Sequence, residues 1–376
     1  MSIKSISISI SLAAVFTLVV TKSSATHTQS TDKPVEQVRK NIQVLKGLPD
    51  SQLFLVMNFV GDSLGVSCDY CHVKGEKNPQ TGDDTFVWEK DDKKEKLAAR
   101  EMMRMVLDLN QHTFKREGAI SCYTCHRGST RPERMVPLPP RDFIKEALQT
   151  LQTQKKVLPA APEIIAKYLS AVGAKQNAAS SPIVMRGTVE SRSISGILEV
   201  TFKQPNKALI KQTTASHEVS TRVTNGVTAS VQTAKGVTQI TGENLKRSIA
   251  SIALYNPIKI PDSLNNATPT RIARIDDRDA YVLRMQSSAT ESLQVFFDVE
   301  SGLLLRRVTV INTMLGPLNV QWDFSDYRDV NGLKLPFVIR TSNVASYDTT
   351  IRRFTEIKID PTVNDRIFES PQTASP

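Results

Sequence analysis

The spacing of hydrophobic residues changes once along the chain, from a helical repeat before residue 180 to strand-like alternation after it. Two amphipathic helices are predicted in the first part. The apolar face of the first helix ends at Gly65 and consists of Leu53, Met57, Val60 and Leu64. The apolar face of the second helix, over residues 94–113, consists of Ala98, Met102, Met105 and Leu109, with Met103 about 100° away from it.

Short alternating runs bounded by turn residues fill residues 183–368 and predict an antiparallel β domain of about ten strands. Residues 197–202 and 293–297 are two such runs, and Asn225-Gly226 and Asn331-Gly332 are hairpin signals. Shorter helical patterns over residues 143–152 and 163–172 lie between the two parts. The predicted fold class is therefore multidomain α plus β, with an N-terminal all-α domain.

The predicted domain boundaries follow these changes. Residues 1–25 are a signal segment, 26–49 a lead segment and 50–138 the helical domain. A helical linker over 139–180, the β domain over 181–371 and a tail over 372–376 complete the chain. The prolines that close the helical domain are Pro132, Pro137, Pro139 and Pro140.

The start of the chain is typical of a secretory signal. Lys4 precedes an apolar run over residues 6–20, and the small residues Ser23-Ser24-Ala25 follow it. The run is short and serine-rich for a membrane span, so membrane association is expected only if this segment stays uncleaved. We therefore expect an exported, periplasmic protein.

The chain is basic, with 48 Lys and Arg against 38 Asp and Glu. These charges are interspersed, which argues against nucleic acid as a partner and favours solubility and docking to an acidic protein. One local cluster follows the second cysteine motif and contains Arg127, Arg131, Arg134 and Arg141.

All four cysteines fall in two C-x-x-C-H motifs, Cys68 to His72 and Cys122 to His126. This spacing is that of covalent haem attachment, in which two thiols bond the porphyrin vinyl groups and the adjacent histidine reaches the iron. Two disulfides would leave the paired histidines unexplained. A zinc ribbon would need closer cysteine pairs, and a thioredoxin-like pair would need a strand and helix around it. The expected cofactor is therefore two covalently bound haem c groups.

A haem in an electron carrier needs a second axial ligand, usually Met or His. Met57, on the helix before the first motif, is the expected partner of His72 at the first iron. Before the second motif, Met102 and Met105 are both candidates to join His126, and spacing does not choose between them. His112 is a weaker alternative at the end of the same helix.

The stretch over residues 51–137 resembles one half of the multihaem cytochrome subunit of bacterial photosynthetic reaction centres. The matching residues are Ser63-Leu64-Gly65-Val66, Ala99-Arg100-Glu101-Met102 and Cys122-Tyr123-Thr124-Cys125-His126-Arg127-Gly128. The resemblance implies Met57 and Met102 as the sixth ligands, with Met105 as a packing neighbour. The family has two such haem pairs and this chain has one, so the resemblance implies electron transfer but not the reaction centre as partner.

The β domain resembles the periplasmic lipoprotein-carrier superfamily, which implies an antiparallel half-barrel around a helix. The resemblance is carried by Thr241-Gly242-Glu243-Asn244-Leu245, residues 298–305, residues 327–336, Ile359-Asp360 and Phe368. It implies a concave face able to hold a lipid or a partner segment, and a scaffold role has equal weight. His217, the only histidine there, has no catalytic companions.

The function expected from these features is single-electron transfer between a donor and an acceptor protein, with both haems held by His and Met. The protein is then a carrier and not an enzyme, and no catalytic residue is predicted. A dihaem peroxidase is the first alternative, and it would require one iron with an open position. A lipid or ligand carrier with a redox-active haem domain is the second.

Overall fold

We describe a computed structural model over residues 32–77, 84–135, 157–173, 181–191, 195–252, 255, 262–288, 291–343, 348–359 and 361–370. The predicted signal segment and tail, and the helix predicted over residues 143–152, lie outside these ranges. Within them, no helix combines the length and hydrophobicity needed to cross a bilayer.

The first part of the described chain contains one short leading helix, two long helices and two short motif helices. They are α1 (Val35–Val38), α2 (Asp50–Leu64), α3 (Cys68–Cys71), α4 (Lys94–Asp108) and α5 (Cys122–His126). A two-stranded sheet of β1 (Val73–Lys74) and β2 (Phe86–Val87) lies between α3 and α4. Helix α2 ends where predicted, because Gly65 takes the left-handed conformation that closes a helix.

Helix α4 continues into a π-helical turn, Leu109–Thr113, which the hydrophobic spacing did not reveal. The wider turn coincides with two hydrogen bonds of the buried Asn110 side chain, which accepts from the Ile120 backbone N–H and donates to the Ile120 carbonyl, each at 2.9 Å. These bonds connect the end of α4 to the loop that leads into α5.

The C-terminal part is one 13-stranded antiparallel sheet, which confirms the predicted antiparallel β part. Its order is β8-β7-β6-β5-β4-β3-β15-β14-β13-β12-β11-β10-β9. The strands are β3 (Ile183–Glu190), β4 (Ser195–Lys203), β5 (Lys207–Thr214), β6 (Val219–Thr224), β7 (Ala229–Thr233), β8 (Gly236–Ile240), β9 (Thr268–Ile275), β10 (Arg278–Gln286), β11 (Glu291–Asp298), β12 (Leu304–Thr313), β13 (Gly316–Val330), β14 (Leu333–Asn343) and β15 (Asp348–Ile359).

Local hairpins build most of this sheet, and one distant pairing joins its halves. Asn331 and Gly332 have φ of 54° and 83° between β13 and β14, as the predicted hairpin signal requires. Strands β3 and β15 pair across the length of the β part and hold the two sets of hairpins together. Helices α6 (Ala161–Ala171) and α7 (Gly242–Ile252) accompany the sheet.

Helix α6 lies within the main hydrophobic core of the sheet. Tyr168 is fully buried and its ring packs 5.2 Å from that of Phe297. Ile164 and Ile165 face the same core. The helix begins at residue 161, within the stretch predicted as a linker, and burial of this apolar side stabilises it against the strands.

The hairpin between β12 and β13 reaches the helical part of the chain. Leu315 at its tip is fully buried, and Ile311 and Leu318 share a second core with Phe59 of α2 and Met103 of α4. The described part of the chain beyond residue 31 forms one compact unit, so the helices and the sheet are packed together.

Gly316 lies where this hairpin meets the helical part. Its φ is 134°, and an added Cβ would lie 2.5 Å from Ser121 Cβ and 3.3 Å from Phe59 Cζ. Gly236 has a similar φ of 121°, but nothing lies within 4 Å of its Cβ position. At both positions a residue with a Cβ would be strained by the positive φ, but only at Gly316 would that Cβ also meet neighbouring atoms.

We expect Gly316→Ala to lower the free energy of unfolding by about 1–3 kcal/mol more than Gly236→Ala, because only the former overpacks an interface. Urea unfolding followed by far-UV circular dichroism measures both. Equal losses in the two variants would show that the hairpin does not press against Ser121.

Candidate cofactor-attachment sites

Each C-x-x-C-H motif forms a short helix that follows a serine in extended conformation. Ser67 precedes α3, with His72 just past its end, and Ser121 precedes α5, with His126 as its last residue. Ser121 and Thr124 cap each other reciprocally. Helical geometry puts the two thiols of each motif, three positions apart, on one side, and all four thiols are unpaired.

The first motif borders a cavity of about 650 Å³ between α2, α4 and the chain before α2. Its lining includes Cys68, Cys71 and His72, together with Met57 from α2 and Met103 from α4. The volume lies in the range of roughly 300–1,000 Å³ that is usual for ligand pockets. The motif, the predicted ligand Met57 and a preformed space are therefore found together.

His72 lies in an environment that favours its neutral form. Burial lowers the pKa of its imidazole, and the nearby cations Lys96 and Arg100 lower it further. Its Nδ1 is buried without a hydrogen-bond partner, although the Trp88 carbonyl is close enough to raise the pKa slightly. A metal-bound histidine must be neutral and usually donates its other N–H to a carbonyl, so His72 fits an axial ligand.

Aromatic rings cover the side of the cavity around His72. The Trp88 ring lies edge-on to the imidazole at a centroid distance of 4.9 Å. Phe54 and Phe86 pack against Trp88 at 5.7 Å and 4.9 Å. These rings limit contact between His72 and water, which is one means of tuning a metal centre.

Two cations and one carboxylate form a cluster next to this cavity. The Asp91 carboxylate accepts from Lys96 Nζ at 2.9 Å and from an Arg100 guanidinium nitrogen at 2.8 Å. Hydrogen bonds from Arg100, Asn41 and Lys96 hold the pKa of Asp91 well below its usual range. Lys96 also donates to the carbonyls of Trp88 and Lys90, at 2.7 Å and 2.6 Å, and so fixes this loop.

The second motif has one half-buried and one exposed cysteine, as the first does. Burial raises the pKa of the Cys122 thiol to about 11, whereas Cys125 is exposed. His126 Nδ1 lies 2.9 Å from the Ser129 carbonyl, the kind of partner that fixes a ligating histidine. The turn after α5 is anchored to α2 by the hydrogen bond from Gly128 N–H to the Ser63 carbonyl, 2.9 Å long.

Helix α4 presents a different methionine on each side. Its buried side carries Met103, which lines the first cavity, together with Lys96, Arg100 and Val106. The predicted apolar stripe lies on another side, with Met102 and Met105 at 43% and 44% exposure. An apolar stripe that the protein leaves uncovered is typical of a binding surface, and here it lies on a helix that also contacts α5.

Met103, Lys96, Asp91 and Trp88 were missed by the sequence reasoning. Met103 lies outside the apolar stripe because its helix side is mixed, combining two cations with two apolar residues. No pattern marks such a side, since hydrophobic periodicity detects only helix sides that are apolar throughout.

The other candidate residues are on the surface. His112 is exposed and its Nδ1 lies 2.7 Å from Asp108, four residues earlier. Arg127, Arg131 and Arg134 are exposed, and Arg141 lies outside the described residues. His217 is exposed, and within the described ranges no group of three or more His, Cys, Asp or Glu side chains could hold a metal ion.

The residues of both motifs fit a porphyrin attached through two thioethers. Each site offers two unpaired thiols on one helix side and an adjacent histidine, and the first adds a cavity with a methionine in its lining. At the second motif the Ser129 carbonyl fixes His126, and α4, which contacts α5, leaves Met102 and Met105 exposed.

Comparison with known proteins agrees with this chemistry. Residues 9–242 match the family model described as photosynthetic reaction centre cytochrome C subunit. The chain is 32% identical over 110 residues to the photosynthetic reaction center cytochrome c subunit of Thermochromatium tepidum, covering 28% of this chain and 24% of that one. It is 30% identical over 95 residues to cytochrome c-554 of Chloroflexus aurantiacus, covering 24% and 20%. The chain thus spans about a quarter of the length of these relatives.

Among solved structures, the chain is similar to a LolA superfamily protein from Nitrosomonas europaea, with 15% identity and a TM-score of 0.39 over 57% of this chain and 99% of that one. It is also similar to a DUF1329 family protein from Desulfovibrio piger, with 13% identity and a TM-score of 0.40 over 56% and 95%. Similarity at this level gives no functional information.

We expect Lys96→Met to lower the free energy of unfolding by about 1–3 kcal/mol, because the carbonyls of Trp88 and Lys90 lose their donor in a buried place. Lys94→Met, at an exposed position of the same helix, is the matched control and should change it by about 0.5 kcal/mol or less. Thermal unfolding of the two purified variants measures the difference, and similar values would contradict a supporting role for Lys96.

Proposed function

Because the chain belongs to the photosynthetic reaction-centre cytochrome c subunit family, as its motifs indicated, we propose that it is an exported dihaem c-type cytochrome that transfers single electrons between redox proteins. The observation that carries this proposal is that the chain contains two C-x-x-C-H motifs and that helix α4 lines the cavity beside the first and contacts α5, which carries the second. A haem supplies the electron chemistry when bound, since its iron alternates between the ferric and ferrous states.

The protein's own residues hold and tune this group. Cys68 and Cys71 tether the first porphyrin, and Cys122 and Cys125 tether the second. His72 and Met57, which line one cavity, would hold the first iron. His126 and Met102 bind the second, with Met105 as the alternative from the same exposed stripe.

The preference for Met102 over Met105 comes from the family pattern and not from the geometry. Met102 follows Ala99-Arg100-Glu101, the run shared with the family, whereas the two side chains are almost equally exposed. Met103 belongs to the first site as a packing residue, because it lines that cavity from the side opposite α2.

Helix α4 explains how an electron passes between the two sites. It lines the first cavity and also contacts α5, so one helix with a diameter of about 10 Å lies next to both motifs. Direct exchange between the haems then needs no mobile carrier. Methionine ligation at both irons leaves no open position for a substrate, which favours a carrier over a peroxidase.

In this proposal the β domain covers residues 181–371 and forms a half-barrel. It serves as a scaffold. The β12–β13 hairpin buries Leu315 in the core shared with α2 and α4, so the sheet supports the helices that carry the haems. A redox donor and a redox acceptor are the proposed partners. A lipid or partner segment on the sheet is the competing role.

We expect the protein matured with haem-attachment machinery to contain two covalent haems per chain and a ferric near-infrared band from methionine-to-iron charge transfer. Absorption spectra with cyanide and peroxide added test this, and slow ligand binding is the expected result. Fast reaction of a high-spin haem with peroxide would favour the peroxidase. Lipid co-purifying with the protein would favour the carrier of ligands, and absence of covalent haem would refute the proposal.

We expect Met57→Leu and Met102→Leu each to remove about half of the methionine band and to lower one of the two reduction potentials, because methionine ligation raises the potential. Met105→Leu and Met103→Leu are matched controls on α4 and should keep the full band. Near-infrared spectra and redox titration measure both effects. Loss of the band in Met105→Leu, with Met102→Leu unaffected, would reassign the second ligand.

A further inference from the structure

We propose that Arg100 binds a carboxylate of the first haem and that its charge, with that of Lys96, makes the first haem the more oxidising of the pair. This inference rests on the proposed dihaem function. It assigns a role to buried cations that axial ligation does not use, and it gives electron flow inside the protein a direction.

Both cations are buried in the wall of the first cavity. Lys96 is 7% exposed and Arg100 is 8% exposed, and both line the cavity with His72 and Met103. Buried lysine and arginine are rare unless their charge is paired. Their position next to a preformed space for a prosthetic group therefore needs an electrostatic reason.

The hydrogen-bond donors of the two cations are used differently. Lys96 has three N–H donors and three acceptors, namely Asp91 and the carbonyls of Trp88 and Lys90. Arg100 has five N–H donors, of which one is given to Asp91 and one to the Asn41 carbonyl, at 2.8 Å and 3.1 Å. Arg100 therefore keeps donors for an acceptor in the cavity.

A carboxylate is the acceptor that the charges of this cavity favour. Four cations line it, Arg39, Lys40, Lys96 and Arg100, of which Arg39 is already paired with Asp50. Among the described residues, the only carboxylate of the lining is that of Glu89, which is exposed. Asp91 is outside the lining, and its single charge is shared between Lys96 and Arg100. The planar guanidinium of Arg100 matches a carboxylate in geometry.

The excess positive charge has a predictable effect on redox behaviour. Reduction of a haem adds one electron, so a nearby buried cation stabilises the reduced state and raises the potential. Charges that water reaches are screened, whereas buried ones act at lower effective dielectric constant. The cations that follow the second motif, Arg127 and Arg131, are exposed. The first haem should thus accept one electron from the second, with no bond formed or broken.

The experiment is a spectroelectrochemical titration of the purified holoprotein and three charge variants. Arg100→Gln should lower the midpoint potential of the first haem by about 59 mV, which corresponds to about a tenfold change in the one-electron equilibrium constant. Asp91→Asn should shift the same midpoint upward, because it removes the charge that offsets the two cations. Met57→Leu identifies which wave belongs to the first haem.

Arg104→Gln is the matched control. It lies one turn further along α4, is exposed, and removes the same charge without touching the cavity. It should change each midpoint potential by only a small fraction of the change caused by Arg100→Gln. If Arg100→Gln does not attach haem, Arg100→Lys keeps the charge and should keep the first haem as the more oxidising, and Asp91→Asn tests the sign independently.

The inference is overturned if Arg100→Gln and Arg104→Gln shift the midpoints equally, if Asp91→Asn lowers the first midpoint, or if the higher wave belongs to the second haem. These failures are distinct from failure of the proposed function. Haem content and the methionine band of the unaltered protein report the function, and neither depends on which haem has the higher potential.

Discussion

The packing of α2 and α4 around one hydrophobic core is the constraint on which the rest of the structure depends. Phe59 and Val60 of α2 meet Met103 and Val106 of α4 there, and Leu315 of the β12–β13 hairpin fills the same core. This packing sets the space between the helices that becomes the first cavity. It also leaves Met102 and Met105 of α4 exposed.

Because one helix serves both sites, its two sides have different composition. The side toward the first cavity carries buried charge, and the side with Met102 and Met105 carries exposed apolar residues. Burying Lys96 and Arg100 costs free energy unless Asp91 and a further anion balance their charges. Exposing apolar side chains to water also costs free energy unless another apolar surface covers them. Binding of a group that is both flat and apolar, with acidic substituents, would relieve both costs.

The sheet supports the second motif through one point of contact. The β12–β13 hairpin meets Ser121, the residue that precedes and caps α5, and Gly316 allows that approach. The second motif is therefore held between the end of α2, through Gly128 and Ser63, and the tip of a hairpin. A scaffold that fixes one motif in this way keeps the distance between the two motifs constant.

The sequence by itself determined the attachment chemistry, the two long helices and the antiparallel sheet. Those features depend on neighbours in the chain: Cys, Cys and His at fixed spacing, the left-handed Gly65, and the Asn331-Gly332 turn. The tertiary structure alone decided that Met103 joins the first site, that Arg100 is buried beside it, and that β3 pairs with β15. Hydrophobic periodicity shows that a helix has an apolar side, but which partner each side meets depends on contacts between residues far apart in the chain.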